Sequence, residues 1–424
     1  MKISHNWLRQ YLDTDLHPET IAELLTNTGL EVEGTERVDT VPGGLRGVVV
    51  GQVLSCTPHP NADKLQLTQV DLGEQEPVQI VCGAPNVAAG QNVPVARVGA
   101  TLYSGEEPLQ IKKAKLRGEK SEGMICSESE LGLGSDQSGI MVLDREAAPG
   151  TPASDYFGIE SDVVWEIGLT PNRTDAMSHY GVARDLRAAM LRFDCRTPPL
   201  HLPSVSDFSV VHQDRPFAIS IEEPQRCYRY LGLSMRNVTV QPSPDWLQNR
   251  LRALGLQTIN NVVDSTNYVL HETGHPLHAF DAQQISGAEI QVKCLPEGTP
   301  FVTLEGKERK LRSTDLMVCD AEKPLVLAGV MGGLESGVTE ETQEIFLEAA
   351  HFDPVSVRKT AKHHGLSTDS SFRYERGIDP DLSLYALQRA AILIRDLAGG
   401  EVAMEIRDEQ KRKFTPQEVT LNLD

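Results

Sequence analysis

Several things are missing from this chain of 424 residues, and each absence removes a class of protein. No stretch approaches the roughly 18 apolar residues that a membrane-crossing helix needs, so no membrane partner is expected. The opening MKISHNWLRQYLD breaks up its apolar residues with charges and amides and does not read as a secretory leader. Seven cysteines, at 56, 82, 126, 195, 227, 294 and 319, include no CxxC pair. An odd, scattered set points to a reducing compartment and buried thiols, not to a disulfide framework or a zinc ribbon. Positive charge is in deficit: 40 Lys and Arg against 60 Asp and Glu leave a formal net charge of −20. Simple polyanion binding is therefore not the default, and any contact with nucleic acid would come from local basic patches. There is no internal repeat and no low-complexity tract. A cytoplasmic protein of several domains is expected.

What is present is 40% apolar residues and a mean hydropathy of −0.28, the texture of a globular chain too long for one core. Residues 1–38 hold a helix that Pro18 can start and Gly29 can end, with Ile21, Leu24 and Leu25 on one face. From about 39 to 150 the pattern turns to short β-branched runs between Gly, Pro and Asn. GVVVGQVLSC, LQLTQVDL, VQIVCGAPN and NVPVARVG predict the strands of a small barrel. YGVARDLRAAML is helical, and RTPPLHLPSVSD (196–207) reads as a linker. Residues 208–402 mix strands (RYLGLSMRNVTV, EIFLEAAHF) with punctuated helices. One follows Ser243-Pro244 and ends near Gly255; another runs from Asp353-Pro354 to Gly365.

The stretch HETGH (271–275) matches H-E-x-x-H, in which two histidines four apart on a helix share one metal ion. Its surroundings argue against that reading. The helix NVVDSTNYVLHETG is expected to end at Gly274, a natural residue for the left-handed position after a helix. Pro276 disfavours helical geometry at His275, so the two histidines leave the common face. The extended zinc-protease form, with its third ligand, is also absent from HETGHPLHAFD. No metal is expected there.

Over a wider window, NNVVDSTNYVLHETGHPLHAFD (260–281) resembles a long signature of the beta subunits of bacterial phenylalanyl-tRNA synthetases. Asn267, Tyr268, Glu272, Gly274, Pro276, His278 and Asp281 carry it. It continues in LAGVMGG (327–333), IFLEAAHFDPVSVRKTA (345–361) and LSTDSSFRYERGIDP (366–380). Towards the N-terminus it continues in MKISHNWLRQYL, GLEVEG, HPNADKLQLTQVDLG, IVCGAPNV, KLRGEKSEGMICSESELGL and LTPNRTDAMSHYGVARDLRAAM. The resemblance implies an α+β multidomain fold. A small N-terminal α/β domain (1–38 plus 152–198) would be interrupted by an OB-fold β-barrel at 39–151. A linker (199–207) and a mixed α/β editing domain (208–402) would follow. The family subunit continues past residue 424, so residues 403–424, ending in the alternating QEVTLNLD, are expected to begin a following domain of a shortened chain. Partners implied are the alpha subunit, in a heterotetramer, and the phenylalanine tRNA. ATP and Mg²⁺ are implied for the whole complex and no cofactor for this part. The chain shows neither a class I HIGH signature nor a nucleotide-cradling glycine loop.

The resemblance further implies an editing site that hydrolyses tyrosine wrongly esterified to the phenylalanine tRNA. By motif position it comprises His278, Glu348 and Thr368 as catalytic residues and Thr266, Asn267, Gly329, Gly332 and Ser370 as substrate-binding residues. Glu348, between Leu347 and Ala349, is costly to bury unless paired. A group that reads a phenol O–H would be satisfied by tyrosine alone, and such sites discriminate by about 10⁴–10⁵. The residue by itself reads equally as a structural carboxylate bonded to backbone N–H groups. His278 suits substrate and water positioning better than a firm general-base role. Gly329 and Gly332 let backbone approach a ligand, or simply make a tight turn. Thr368 and Ser370 offer hydroxyls to the wall, or cap a helix. Arg373 and Arg376 are expected to pair internally with Glu375 and Asp379. In the barrel, IKKAKLRGEK places Lys112, Lys113, Lys115, Arg117 and Lys120 within one short stretch that could track a phosphate backbone. It could equally be a charged edge strand kept soluble. Tyr103 is the barrel's only aromatic, which leaves base stacking without support. The other reading of the whole chain is a non-enzymatic tRNA-binding and assembly module with an inert pocket.

Overall fold

The computed structural model describes residues 1–103, 107–194 and 196–422; Cys195 and the last two residues of QEVTLNLD lie outside them. The chain forms two compact units, one of residues 36–163, the other of residues 1–35 together with 164–424.

The first unit is built on five antiparallel strands. In spatial order they are Gly123–Ile125, Asn92–Arg97, Val48–Pro58, Gln66–Asp71 and Val78–Cys82. The two edge strands, Gly123–Ile125 and Val78–Cys82, also approach one another, so the sheet curls into a nearly closed barrel. Alternation along these strands turns Val53, Val70, Ile80, Val93 and Val95 into a common core. Gly51 makes the curl possible: a Cβ there would stand 2.8–2.9 Å from the Val70, Leu72 and Val95 side chains. A hairpin of Ala114–Leu116 and Glu119–Ser121 carries the basic stretch on its surface.

In the second unit, Lys2–Ser4 pairs antiparallel with Val164–Glu166. The helices Pro18–Asn27 and His179–Asp194 belong to the same region. Beyond it one sheet runs Leu277–Asp281, Glu344–Phe352, Cys227–Val238 and Gly399–Val402, all antiparallel. A second sheet runs Ala218–Ile221, Glu289–Cys294, Leu316–Cys319, Pro324–Leu327 and Met331–Gly332. The two sheets and the helices Asn261–Thr273 and Leu382–Ala398 share one apolar core, in which Tyr230, Phe280, Leu327, Phe346 and Leu387 are fully buried or nearly so.

Residues 1–35 and 164–198 fall in the same compact unit as 208–402. Trp7 lies between two rings from different parts of the chain, His179 at 4.1 Å and Tyr268 at 4.4 Å. Arg407–Gln410 pairs with Arg229–Gly232 and extends the sheet already present, while 413–422 carry no regular structure.

Candidate functional site

The helix Asn261–Thr273 begins where the sequence allows it. Asn260, in extended backbone, accepts hydrogen bonds from the N–H groups of Val262 (3.1 Å) and Val263 (2.9 Å). Helical spacing then lines up Val263, Thr266, Asn267, Leu270 and His271 on one face, and all five border a single cavity. Gly274, at φ 86°, ends the helix and turns the chain into the strand Leu277–Asp281. That strand sets His278 directly opposite Glu348 on Glu344–Phe352, and Gly232 stands opposite Glu348 on its other side. The loop around Gly329 and Gly332 and the start of the helix Asp369–Tyr374 complete the wall.

The cavity measures about 440 Å³, room for an amino-acid side chain and part of a nucleoside. The structure brings Thr266, Asn267, His278, Gly329, Gly332, Glu348, Thr368 and Ser370 together around it. Sequence reasoning missed its apolar lining, chiefly Leu256, Ile259, Leu304, Val326, Met331 and Val338. Tyr230 was missed as well, although it makes the shortest polar contact at the site. Its hydroxyl donates to Glu348 Oε2 at 2.6 Å.

Each polar group has a definite state. Glu348 is only 4% exposed, and no backbone N–H of the described residues reaches it; Tyr230 takes the part expected of the backbone. Burial pushes its carboxyl up to about 7, with the Tyr230 hydrogen bond opposing the rise. No group of the described residues hydrogen-bonds Glu348 Oε1. His278 Nε2 is enclosed without a hydrogen-bond partner among the described residues, and burial holds the ring's pKa down to about 4, so the imidazole is neutral at pH 7. Its ring meets Phe280 edge-on at 4.5 Å. Gly332 makes room for that ring: a Cβ there would be 2.9 Å from His278 Cε1. Gly329, at φ 69°, adopts a conformation side chains rarely take, and a Cβ there would stand 3.0–3.1 Å from the Tyr374, Val357 and Phe352 side chains.

Three of the hydroxyls are committed to structure. Thr266 donates to Val263 O at 2.7 Å. Thr368 caps the helix Asp369–Tyr374 by accepting from Ser371 N (3.0 Å), and donates its own proton to Val330 O (2.9 Å). Ser370 donates to Gly329 O at 3.3 Å. Thr368 and Ser370 thus fasten the glycine loop to the helix start, so their evident work is holding the wall. The Asn267 amide has no hydrogen bond to any described residue.

HETGH resolves into separate jobs. His275 leaves the helix and sits 2.8 Å from Ser383 Oγ and 2.9 Å from Pro276 O. His271 stays on the helix, beside Arg373 at 3.4 Å. Glu272 is fully buried; it accepts from the Tyr11 hydroxyl at 2.9 Å and from Arg389 Nε at 2.9 Å. Among the described residues, no three His, Cys, Asp or Glu cluster in a way that could hold a metal ion. Arg376 pairs internally with Glu375 at 2.7 Å, as its mixed-sign surroundings suggest. Arg373 pairs with Asp369 at 3.2 Å, because that residue lies one helical turn before it.

On the barrel hairpin, Lys112, Lys113, Lys115, Arg117 and Lys120 are all exposed. Lys113 is neutralised by Glu122 at 3.0 Å. Lys115 and Lys120 face each other across the hairpin, so two like charges stand side by side. Among the described residues, Lys112, Lys115, Arg117 and Lys120 form no ion pair. They concentrate positive charge on an otherwise acidic chain. No helix of the described residues is long and apolar enough to cross a membrane.

These two units define a class, a mixed α/β chain carrying a nearly closed barrel with a basic hairpin and a cavity-bearing domain. Residues 48–152 match the family described as "Putative tRNA binding domain", and residues 226–399 match the B3/4 domain. A phenylalanine–tRNA ligase beta subunit from Bacteroides fragilis is 54% identical over 96% of this chain and 50% of its own length. Those from Porphyromonas gingivalis (52% identical, 100% of this chain, 52% of its own) and Salinibacter ruber (48%, 100% and 51%) align as fully. The chain belongs to the family of phenylalanine–tRNA ligase beta subunits. It spans about half the length of the curated relatives it matches.

Proposed function

We propose that this chain supplies the editing function of a phenylalanine–tRNA ligase: its cavity takes the tRNA end carrying a misattached tyrosine and hydrolyses the ester. The observation that carries this reading is Glu348, a buried carboxyl with one oxygen taken by Tyr230 and the other unpaired at an otherwise largely apolar cavity. A tyrosine side chain fits such a cavity and gives the unpaired oxygen its phenol O–H. Phenylalanine fills the same space and leaves the oxygen without a partner, a difference that hydroxyl-reading sites turn into about 10⁴–10⁵ in selectivity.

The hydrolysis itself joins a water oxygen to the ester carbonyl carbon and breaks the bond from that carbon to the ribose oxygen, which takes the proton. His278 is neutral at pH 7 and can orient the water through a ring nitrogen. With its pKa held near 4 it is too weak a base to be the main proton acceptor. The Asn267 amide, free of partners among the described residues, is the donor available to the ester carbonyl or the ribose. Thr266, Thr368 and Ser370 hold the walls in place.

In this proposal the barrel is an OB-fold that contacts tRNA through Lys112, Lys115, Arg117 and Lys120. Attachment of phenylalanine to its tRNA, with ATP and Mg²⁺, is assigned to the whole complex with an alpha subunit, in the cytoplasm. Nothing in the editing step is routed through a metal. The test is deacylation of tyrosyl- and phenylalanyl-charged phenylalanine tRNA by the chain, with EDTA and with Glu348→Ala in parallel. Selective loss of the tyrosyl ester that survives EDTA and disappears in the variant is the expected result. If neither ester is hydrolysed while tRNA still binds, the cavity is an inert part of a docking module and the proposal fails.

A further inference from the structure

The shortest polar contact at the cavity comes from a residue behind it. Tyr230 is fully buried and borders the core, not the cavity. It reaches Glu348 because of the sheet's register. Gly232 stands opposite Glu348 and Tyr230 opposite Ala350, so Tyr230 is the diagonal neighbour of Glu348 on the same face. The space that a side chain at position 232 would fill is taken by the Phe346 ring, and the phenol reaches the carboxyl along the diagonal. The 2.6 Å bond then fixes Glu348 Oε2, which leaves Oε1 as the acceptor for anything entering the cavity.

Resting on the editing reading above, we infer that Tyr230 is a specificity-positioning residue: by bonding Glu348 Oε2 it aims Oε1 at the bound amino acid and keeps the carboxyl ionised enough to accept a phenol O–H. The titratable groups around Glu348 are few. His278 lies across one strand pairing, while Tyr230, Cys227 and Tyr374 come from the other strand and from the helix Asp369–Tyr374. Burial holds Cys227, Tyr230 and Tyr374 protonated and His278 neutral near pH 7, so none of them carries a charge that would help the carboxylate. Apart from solvent, the Tyr230 hydroxyl is the group that favours its ionised form. Tyr374 is committed elsewhere, donating to Ala350 O at 3.0 Å.

The carboxyl's ordinary value is already raised to about 7 by burial, so removing its one donor moves it further up. An un-ionised Glu348 no longer offers a charged acceptor to tyrosine. The ratio of tyrosyl to phenylalanyl ester hydrolysis therefore rises with pH through the carboxyl's titration, and in Tyr230→Phe that rise comes at higher pH. A shift of one unit lowers the ratio at pH 7 by about fivefold, since about half the carboxyls are ionised before and about a tenth after.

The experiment measures deacylation of tyrosyl- and phenylalanyl-charged phenylalanine tRNA from pH 5.5 to 8.5, with the uncatalysed rates subtracted. It compares the unaltered chain, Tyr230→Phe and Glu348→Gln. The expected result is a tyrosyl preference whose midpoint moves up in Tyr230→Phe and recovers at the alkaline end, while Glu348→Gln shows no preference at any pH. A Tyr230→Phe midpoint equal to that of the unaltered chain, or a preference reduced equally at every pH, overturns the inference and makes Tyr230 a packing residue only. Lack of tyrosyl preference in the unaltered chain overturns the editing reading, and this inference with it.

Discussion

Replacing Glu272, the acid at the centre of HETGH, tests whether that stretch serves the fold or a metal. The carboxylate is fully buried and holds two partners at 2.9 Å, Arg389 from the helix Leu382–Ala398 and the hydroxyl of Tyr11. Glu272→Met keeps the volume roughly constant and leaves both partners unmatched. Breaking a buried ion pair from one side costs about 3–5 kcal/mol. Arg389 keeps 17% of its side chain in water, which places its share at the lower end of that range. The Tyr11 hydroxyl, 1% exposed, adds about 1 kcal/mol as an orphaned donor. The sum is about 4 kcal/mol, and the shift in urea midpoint is on the order of 1 M. Tryptophan fluorescence isolates the right transition, because Trp7, Trp165 and Trp246 all belong to the unit of 1–35 and 164–424. The double variant Glu272→Met, Arg389→Met removes both charges, and most of the loss should return. A loss below about 1 kcal/mol in Glu272→Met, with a hydrolysis that depends on added zinc in the unaltered chain and is abolished in the variant, would refute this reasoning and revive the metal reading.

Three further outcomes follow from the same geometry. Gly332→Ala places a Cβ 2.9 Å from His278 Cε1 and from Leu304 Cδ1, and the enclosed ring has to move. Tyrosyl-ester hydrolysis should fall about tenfold to a hundredfold, with the fold measured by circular dichroism unchanged. Asp315 is buried, which alone would raise its pKa. Hydrogen bonds from Arg312, His364 and Thr360 outweigh that and bring it down to about 2 from 3.8. Its stabilising contribution is therefore whole above pH 4, is lost as pH falls towards 2, and amounts to about 2 kcal/mol. Asp315→Asn should flatten that part of the acid-unfolding curve. On the barrel, Lys115→Ala and Lys120→Ala should each lower the slope of log Kd for tRNA against log salt by about 0.7–0.9, one phosphate contact apiece. Unchanged slopes would make the hairpin a solubility feature.

What the sequence makes legible is what neighbouring residues can settle among themselves. Asn260 and Gly274 bracket one helix, and Pro354 and Gly365 bracket another, because capping depends on groups within a turn of the helix end. The barrel strands were readable from their β-branched alternation, and so was the departure of His275 from the helix face. The residues around the cavity were legible only through long motifs shared with a family. Periodicity puts Val263, Thr266, Asn267 and Leu270 on one face but does not say what that face meets. Tyr230 and Glu348 are 118 residues apart, and Tyr11 and Glu272 are 261 apart. Such pairs depend on strand register and on helix packing, neither of which leaves a local trace. The N-terminal segment shows the same thing, since its composition looks self-contained while a buried polar partner of its Tyr11, Glu272, lies in the middle of another segment. HETGH shows the limit of a short pattern most directly. Its acid ties distant parts of the chain together, its second histidine serves a buried contact with Ser383, and the histidine that faces the ester in the editing reading, His278, lies three residues beyond the match.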